Sequence, residues 1–271
     1  MGSGSWLPAQ LHCGMDEGAY NALAWRTRRV ALLERLLAGP PLFSGRLRRC
    51  VPVVSVVAIV SLAGFGFAVR NSARALLFDR SADVFFGRAS GFEHGAATLL
   101  SDIGDPTIFI TIMPFTALVL IFLGDYRAAV TTVASGALAG VLVEEVLKPF
   151  FDRRLDNLAG PTFPSGHAAV AVALAVAVTL AASGERPLGR LMGPVPRKLL
   201  VAIVALLSCT VGLAMVVLQV HYLSDVVAGI SLGLSVGACT ALCVDVIATR
   251  WQPQRGSVTG RSRLSVPDTE T

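Results

Sequence analysis

Residues 199–220 read LLVAIVALLSCTVGLAMVVLQV, and residues 226–248 read VVAGISLGLSVGACTALCVDVIA, with the short polar divider HYLSD between them. A helix rises about 1.5 Å per residue, so each run is long enough to cross the roughly 30 Å hydrocarbon core of a bilayer. Four further apolar runs precede this pair, at 51–69, 106–123, 128–147 and 167–183. The third of these ends in Glu144 and Glu145, which blurs its boundary. Six such runs in one chain predict an all-α, polytopic membrane protein with six transmembrane helices.

Composition points the same way. Of the 271 residues, 54% are hydrophobic and 15% charged, with a mean hydropathy of +0.65. Soluble domains carry about 25% charged residues, and a chain this apolar could not cover its surface in water. The expected organisation is a cytoplasmic N-terminal segment over 1–50, partly disordered, a membrane domain over 51–248, and a disordered basic tail over 249–271. Met1 to Gly45 is polar and Arg-bearing, which argues against a signal peptide. None of the five cysteines falls in a predicted external loop, so no disulfide framework is implied.

The distribution of Lys and Arg sets the expected orientation. With the N-terminus in the cytoplasm, Arg127, the group Arg186, Arg190, Arg197 and Lys198, and the basic residues of both termini lie inside. Arg70, Arg74, Arg80, Arg88, Lys148, Arg153 and Arg154 lie outside, where they are the minority. This places both termini in the cytoplasm and the net charge of +5 largely at the inner face, which removes the case for nucleic acid as a partner. The 70–105 segment reads as short amphipathic helices at the outer interface, with Phe85, Phe86 and Phe92 as anchors. Gly136 and Gly140, and then Gly229, Gly233 and Gly237, form small-residue stripes suited to close helix contact.

Polar groups then gather at one expected depth. His167 opens the fourth span, His221 closes the fifth, and Lys148 ends the third; intramembrane ionisable residues mark functional sites. In Phe163-Pro164-Ser165-Gly166-His167, Ser165 can cap the following helix, and the free N–H groups of a first helical turn attract anions. In His221-Tyr222-Leu223-Ser224-Asp225, the carboxylate can meet the imidazole and fix its tautomer. Lys148, Arg153 and Arg154 form a cationic loop next to that helix start, although Glu144, four residues before Lys148, can also pair with it.

The order Lys148, then Pro164-Ser165-Gly166-His167, then His221-x-x-x-Asp225 resembles the type-2 phosphatidic acid phosphatase (PAP2) superfamily of membrane lipid phosphatases, over roughly residues 95–248. The resemblance implies a PAP2-like helix bundle and a metal-independent phosphatase without a cofactor. It implies that His221 attacks phosphorus to form a phosphohistidine, that Asp225 orients it, and that His167 protonates the leaving oxygen. Lys148, with the backbone at Ser165 and Gly166, would hold the equatorial oxygens. The expected partners are a lipid phosphate and membrane lipids, with the site facing outward from the plasma membrane. A polyprenyl diphosphate, a phosphatidate and a phosphatidylglycerol phosphate all fit this description; an outward site suits a polyprenyl carrier.

The chain departs from the family pattern at two places. The first motif's Arg-Pro falls on Leu155 and Asp156, and the third motif's Ser-Arg on Ala214 and Met215. Arg153 and Arg154 stand beside the first gap as candidate substitutes, whereas the second has none in the local sequence. A non-catalytic lipid-phosphate binder on the same fold is therefore the alternative reading. An intramembrane serine protease would need Gly-x-Ser-Gly, and Phe163 occupies the first position.

Overall fold

The structure, a computed structural model, describes residues 39–155 and 158–251, and those residues form an all-helical bundle. In chain order its helices are α1 (Gly45–Val69), α2 (Leu77–Phe86), α3 (Gly91–Ile103), α4 (Pro106–Phe122), α5 (Tyr126–Phe151), α6 (Gly166–Ala181), α7 (Pro187–Leu191), α8 (Pro194–Val217) and α9 (Leu223–Trp251). Among the described residues there is no strand, only one isolated bridge between Arg154 and Pro161. The expectations for the polar N-terminus before residue 39 and for the tail after Trp251 lie outside the described residues.

The protein is an integral membrane protein by helix length and apolarity. Four helices, α1, α5, α8 and α9, are long and apolar enough to cross a bilayer. The bent pair α3 and α4, which meet at 55°, adds a fifth candidate. The remaining run, α6, is an apolar helix of 16 residues, about 24 Å long. It is short because Pro164-Ser165-Gly166 starts it late, in a turn that is itself largely buried. The first span begins at Gly45, earlier than the apolar run at Val51. The charged end of the third run is not a helix end. A π-helical turn over Leu142–Leu147 carries α5 on to Phe151, and such turns inside helices often accompany functional sites.

The small α6 lies at the centre, packed by α9, α5 and α8. Its Ala168, Ala169, Ala173, Ala177 and Ala181 are buried, so neighbouring backbones approach it closely. The stripe on α9 makes the same point from the other side. A Cβ on Gly233 would stand 2.4 Å from the Ala169 carbonyl oxygen, and one on Gly229 2.4 Å from that of Ser165. Gly237 faces Val176 of α6 at 3.0 Å. Only glycine lets these two helices lie backbone against backbone. Of the other stripe, Gly136 presses on Met113 of α4, while Gly140 makes only ordinary contact with Val170. The bundle is thus fixed where α9 meets α6, and the candidate site lies at one end of that seam.

The 70–105 segment forms two short helices, α2 and α3. Of the three expected anchors, Phe85 and Phe92 are exposed, while Phe86 packs inward with Ala82, Ala97 and Met215. At the end of the bundle away from the histidines, the chain is held by buried ions. Asp125 caps α5, accepting from the Ala128 N–H at 3.1 Å, and pairs with Arg186. Arg186 also donates to the Pro40 carbonyl at 2.7 Å. Asp245 of α9 accepts from Arg127 at 3.4 Å and from the N–H groups of Leu42 and Phe43 at 2.8 and 3.1 Å.

Candidate active site

The turn between α8 and α9 carries the His221–Asp225 pair. The helix α8 stops at Val217, and the N–H groups of Val220 and His221 both donate back to the Met215 carbonyl, at 3.1 and 3.2 Å. Two residues later α9 begins. Asp225, in its first turn, accepts from the Tyr222 N–H through Oδ2 at 3.0 Å. The same oxygen lies 3.5 Å from His221 Nδ1. That nitrogen is buried and has no hydrogen-bond partner, so the carboxylate is the group it faces. Asp225 is fully buried, while the imidazole keeps partial access.

The second part of the site is the turn at 163–167. Ser165 caps α6, its Oγ accepting from the Ala168 N–H at 3.5 Å, and its own N–H donates to the Asp225 carbonyl at 3.0 Å. The start of α6 is therefore tied to the start of α9. This brings His167 within electrostatic reach of His221, Lys148, Glu144 and Asp105. Gly104, at the end of α3, packs against α8 and the imidazole: a Cβ there would stand 2.5 Å from Val211 Cγ1 and 3.1 Å from His167 Cδ2.

Lys148, at the end of the π turn, donates to Glu144 Oε1 at 2.6 Å. That oxygen also lies 3.3 Å from where a Gly166 Cβ would be. Lys148 thus hangs next to the Gly166 turn, held there by Glu144.

The two arginines part company. After Phe151 the backbone enters the left-handed region at Asp152, with φ of 42°, and this reversal sends Arg153 inward and Arg154 outward. Arg153 is fully buried. Its Nη1 donates to Asp225 Oδ1 at 2.5 Å and to Ser224 Oγ at 2.6 Å. Its Nη2 donates to Asp79 Oδ2 at 3.0 Å and to the Arg74 carbonyl at 2.9 Å. The guanidinium lies over the Tyr222 ring, 4.3 Å from its centre. So both terminal nitrogens point at protein oxygens, and this geometry gives Arg153 a place behind Asp225 rather than a phosphate contact. Arg154 is exposed and pairs with Asp152 at 2.9 Å.

Neither gap in the family pattern is filled by a cation. Leu155 is buried. Met215 is 1% exposed and packs with Ala82, Ala97, Ala168 and Val226. The residues that sequence reasoning missed are Asp79, Ser224 and Gly104. Asp79, on α2, is fully buried and accepts from the Ser224 N–H and hydroxyl, both at 2.8 Å. Among the described residues no group of three or more His, Cys, Asp or Glu side chains is placed to hold a metal ion. The arrangement can hold an anion between Lys148 and the start of α6 and present a carboxylate-backed imidazole to it.

Two comparisons with known proteins give matches, one to a sequence family and one to a fold. The sequence pattern of the PAP2 superfamily matches residues 125–248, which contain Lys148, the Ser165 turn and the His221–Asp225 pair. The fold is similar to that of a transmembrane PAP2-type phosphatidylglycerolphosphate phosphatase from Bacillus subtilis, whose structure was solved by crystallography. The TM-score is 0.57 at 18% identity, over 74% of this chain and 98% of that one. No curated protein gives a significant match.

Proposed function

We propose that this chain, whose segment 125–248 is a PAP2-superfamily domain, is a membrane lipid phosphatase that works through a phosphohistidine on His221. The observation that carries the reading is the Asp225-backed imidazole of His221, set beside the start of α6 and within electrostatic reach of His167. His221 keeps its proton on Nδ1, facing Asp225, and attacks phosphorus with Nε2. The bond from phosphorus to the lipid oxygen breaks, and His167 gives that oxygen its proton. Water, deprotonated by His167, then attacks the phosphohistidine; free phosphate leaves and both imidazoles return to their starting states. Lys148 and the N–H groups at Ser165 and Gly166 hold the equatorial oxygens. Donors fixed in advance around developing charge commonly contribute more to such catalysis than any other effect. Lys148 must leave Glu144 to do so. Arg154, exposed and paired with Asp152, is the second cation assigned to the phosphate in this reading.

The substrate is a phosphomonoester or diphosphate of a lipid, and the excess of Lys and Arg at the opposite end supports an outward site in the plasma membrane. The polyprenyl diphosphate class suits that placement. A second reading, a non-catalytic lipid-phosphate binder, is favoured by the burial of Leu155 and Met215 where the family carries arginines. Release of inorganic phosphate by purified protein from polyprenyl diphosphate, phosphatidate and phosphatidylglycerol phosphate tests the two. Release that disappears in His221→Ala supports the phosphatase. Binding of these lipids with no release from any of them supports the binder.

A further inference from the structure

We infer that Asp79, on the α2 helix outside the PAP2-matched segment, is a positioning residue for His221, acting through Arg153 and Asp225; this rests on the phosphatase reading above. Arg153 is shared between two fully buried carboxylates, Asp79 at 3.0 Å and Asp225 at 2.5 Å. Asp79 also accepts from both the N–H and the hydroxyl of Ser224, the residue just before Asp225. It therefore holds Asp225 from two sides, through the guanidinium and through the chain.

The sharing matters electrostatically. A buried guanidinium facing one carboxylate pairs with it bidentately and neutralises it. Here Asp79 takes Nη2, so Asp225 meets Arg153 through Oδ1 alone and keeps Oδ2 for the His221 side. Two carboxylates against one guanidinium leave one negative charge, and Asp225 Oδ2 directs it at His221 Nδ1. The field of this excess is felt nearby. Burial first, then the Asp79 carboxylate, raises the Asp83 carboxyl above its usual range, with Asp225 adding to the rise and Arg153 opposing it. The other ionisable groups that act on His167 are Asp105, Lys148 and Glu144, and none of them is a hydrogen-bond partner of Arg153. Asp79 is thus a fixed counter-charge that keeps Asp225 available as an acceptor for Nδ1–H. That tautomer leaves Nε2 unprotonated for attack.

The test uses Asp79→Asn in the full-length protein, which keeps the shape of the side chain and removes its charge. The chain has four histidines, so 15N-histidine NMR in detergent can be assigned with single His→Ala variants. Wild-type His221 is expected in the Nδ1–H tautomer, and Asp79→Asn is expected to show a mixture. With lipid phosphate, kcat should fall about 10- to 100-fold and KM should change little, because Asp79 touches no substrate group. In an Asp225→Asn background, Asp79→Asn should lower kcat no further, the mark of a residue acting through Asp225. An unchanged His221 tautomer in Asp79→Asn overturns the inference whatever kcat does, and so does a full additional loss in the Asp225→Asn background. If Asp79→Asn does not fold, Arg153→Lys keeps the positive charge but breaks the fork shared by Asp79 and Asp225, and is read by the same tautomer shift, with the same overturning result. The tautomer is measured without substrate. A wild type that releases no phosphate therefore defeats the phosphatase reading alone, while the spectrum still judges Asp79.

Discussion

The two ends of the bundle each bury a cluster of ions, and the clusters are built differently. Away from the histidines, among the described residues, Asp125 faces Arg186 and Asp245 faces Arg127, two carboxylates to two guanidiniums. Further hydrogen bonds of this cluster go to backbone: the Ala128 N–H, the Pro40 carbonyl and the N–H groups of Leu42 and Phe43. At the other end, among the described residues, Asp79 and Asp225 share Arg153, and Asp225 turns its second oxygen toward His221. Buried ion pairs stabilise little when complete and cost much when broken. The balanced cluster pins the segment at 40–43 and the ends of α5 and α9 together. The unbalanced one directs surplus charge at an imidazole, as the proposed mechanism requires.

That contrast can be broken most forcefully by removing one ion from each end. Arg153→Ala leaves two buried carboxylates without a counter-charge, and Asp125→Ala does the same to Arg186. Each should lose about 3–5 kcal/mol of stability, measured by thermal or denaturant unfolding in detergent. The difference lies in activity normalised to folded protein: Asp125→Ala should keep wild-type kcat, and Arg153→Ala should lose at least tenfold. Equal activity losses at the two ends would erase the distinction. Met215→Arg comes next. The side chain is closed in by Ala82, Ala97, Ala168 and Val226, so a guanidinium there should destabilise α8 by about 3–5 kcal/mol, as an uncompensated buried charge does, and not add a phosphate contact. A gain in turnover with unchanged stability would show that the phosphate cavity reaches Met215. The smallest effect separates two exposed arginines at the site end. Arg154→Ala should raise KM for lipid phosphate several-fold, whereas Arg80→Ala on α2 should leave kinetics unchanged. Identical kinetics in both would leave phosphate held by Lys148 and the Ser165-Gly166 turn.

How far the sequence carries differs between these parts for physical reasons. Long apolar runs announce α1, α5, α8 and α9 directly, since hydropathy over about 20 residues is a local property. The glycine stripe of α9 and the Ser165 cap are local patterns too, and both appear where the spacing puts them. The approach of His221 to Asp225 is legible because they are four residues apart. Asp79 is not, because its contacts to Arg153 and Ser224 span 74 and 145 residues; in the sequence it is one more charge on an amphipathic helix. Arg153 reads as a phosphate ligand from its place beside Leu155, and a single left-handed residue at Asp152 turns it the other way. The cluster at 125, 127, 186 and 245 is hidden for a further reason. Basic residues at span ends read as markers of orientation, and nothing local shows that Arg127 and Arg186 are buried with carboxylate partners.

The account stands on His221 as the nucleophile, and trapping the phosphorylated enzyme tests that most directly. Wild-type protein is mixed with a lipid phosphate that it hydrolyses, quenched in alkali, where phosphohistidine survives, and digested for mass spectrometry. The expected result is a phosphoryl group on the peptide carrying His221, formed and consumed within one turnover and missing in His221→Ala. Phosphate release with the phosphoryl group on another residue, or undiminished release by folded His221→Ala, would contradict it.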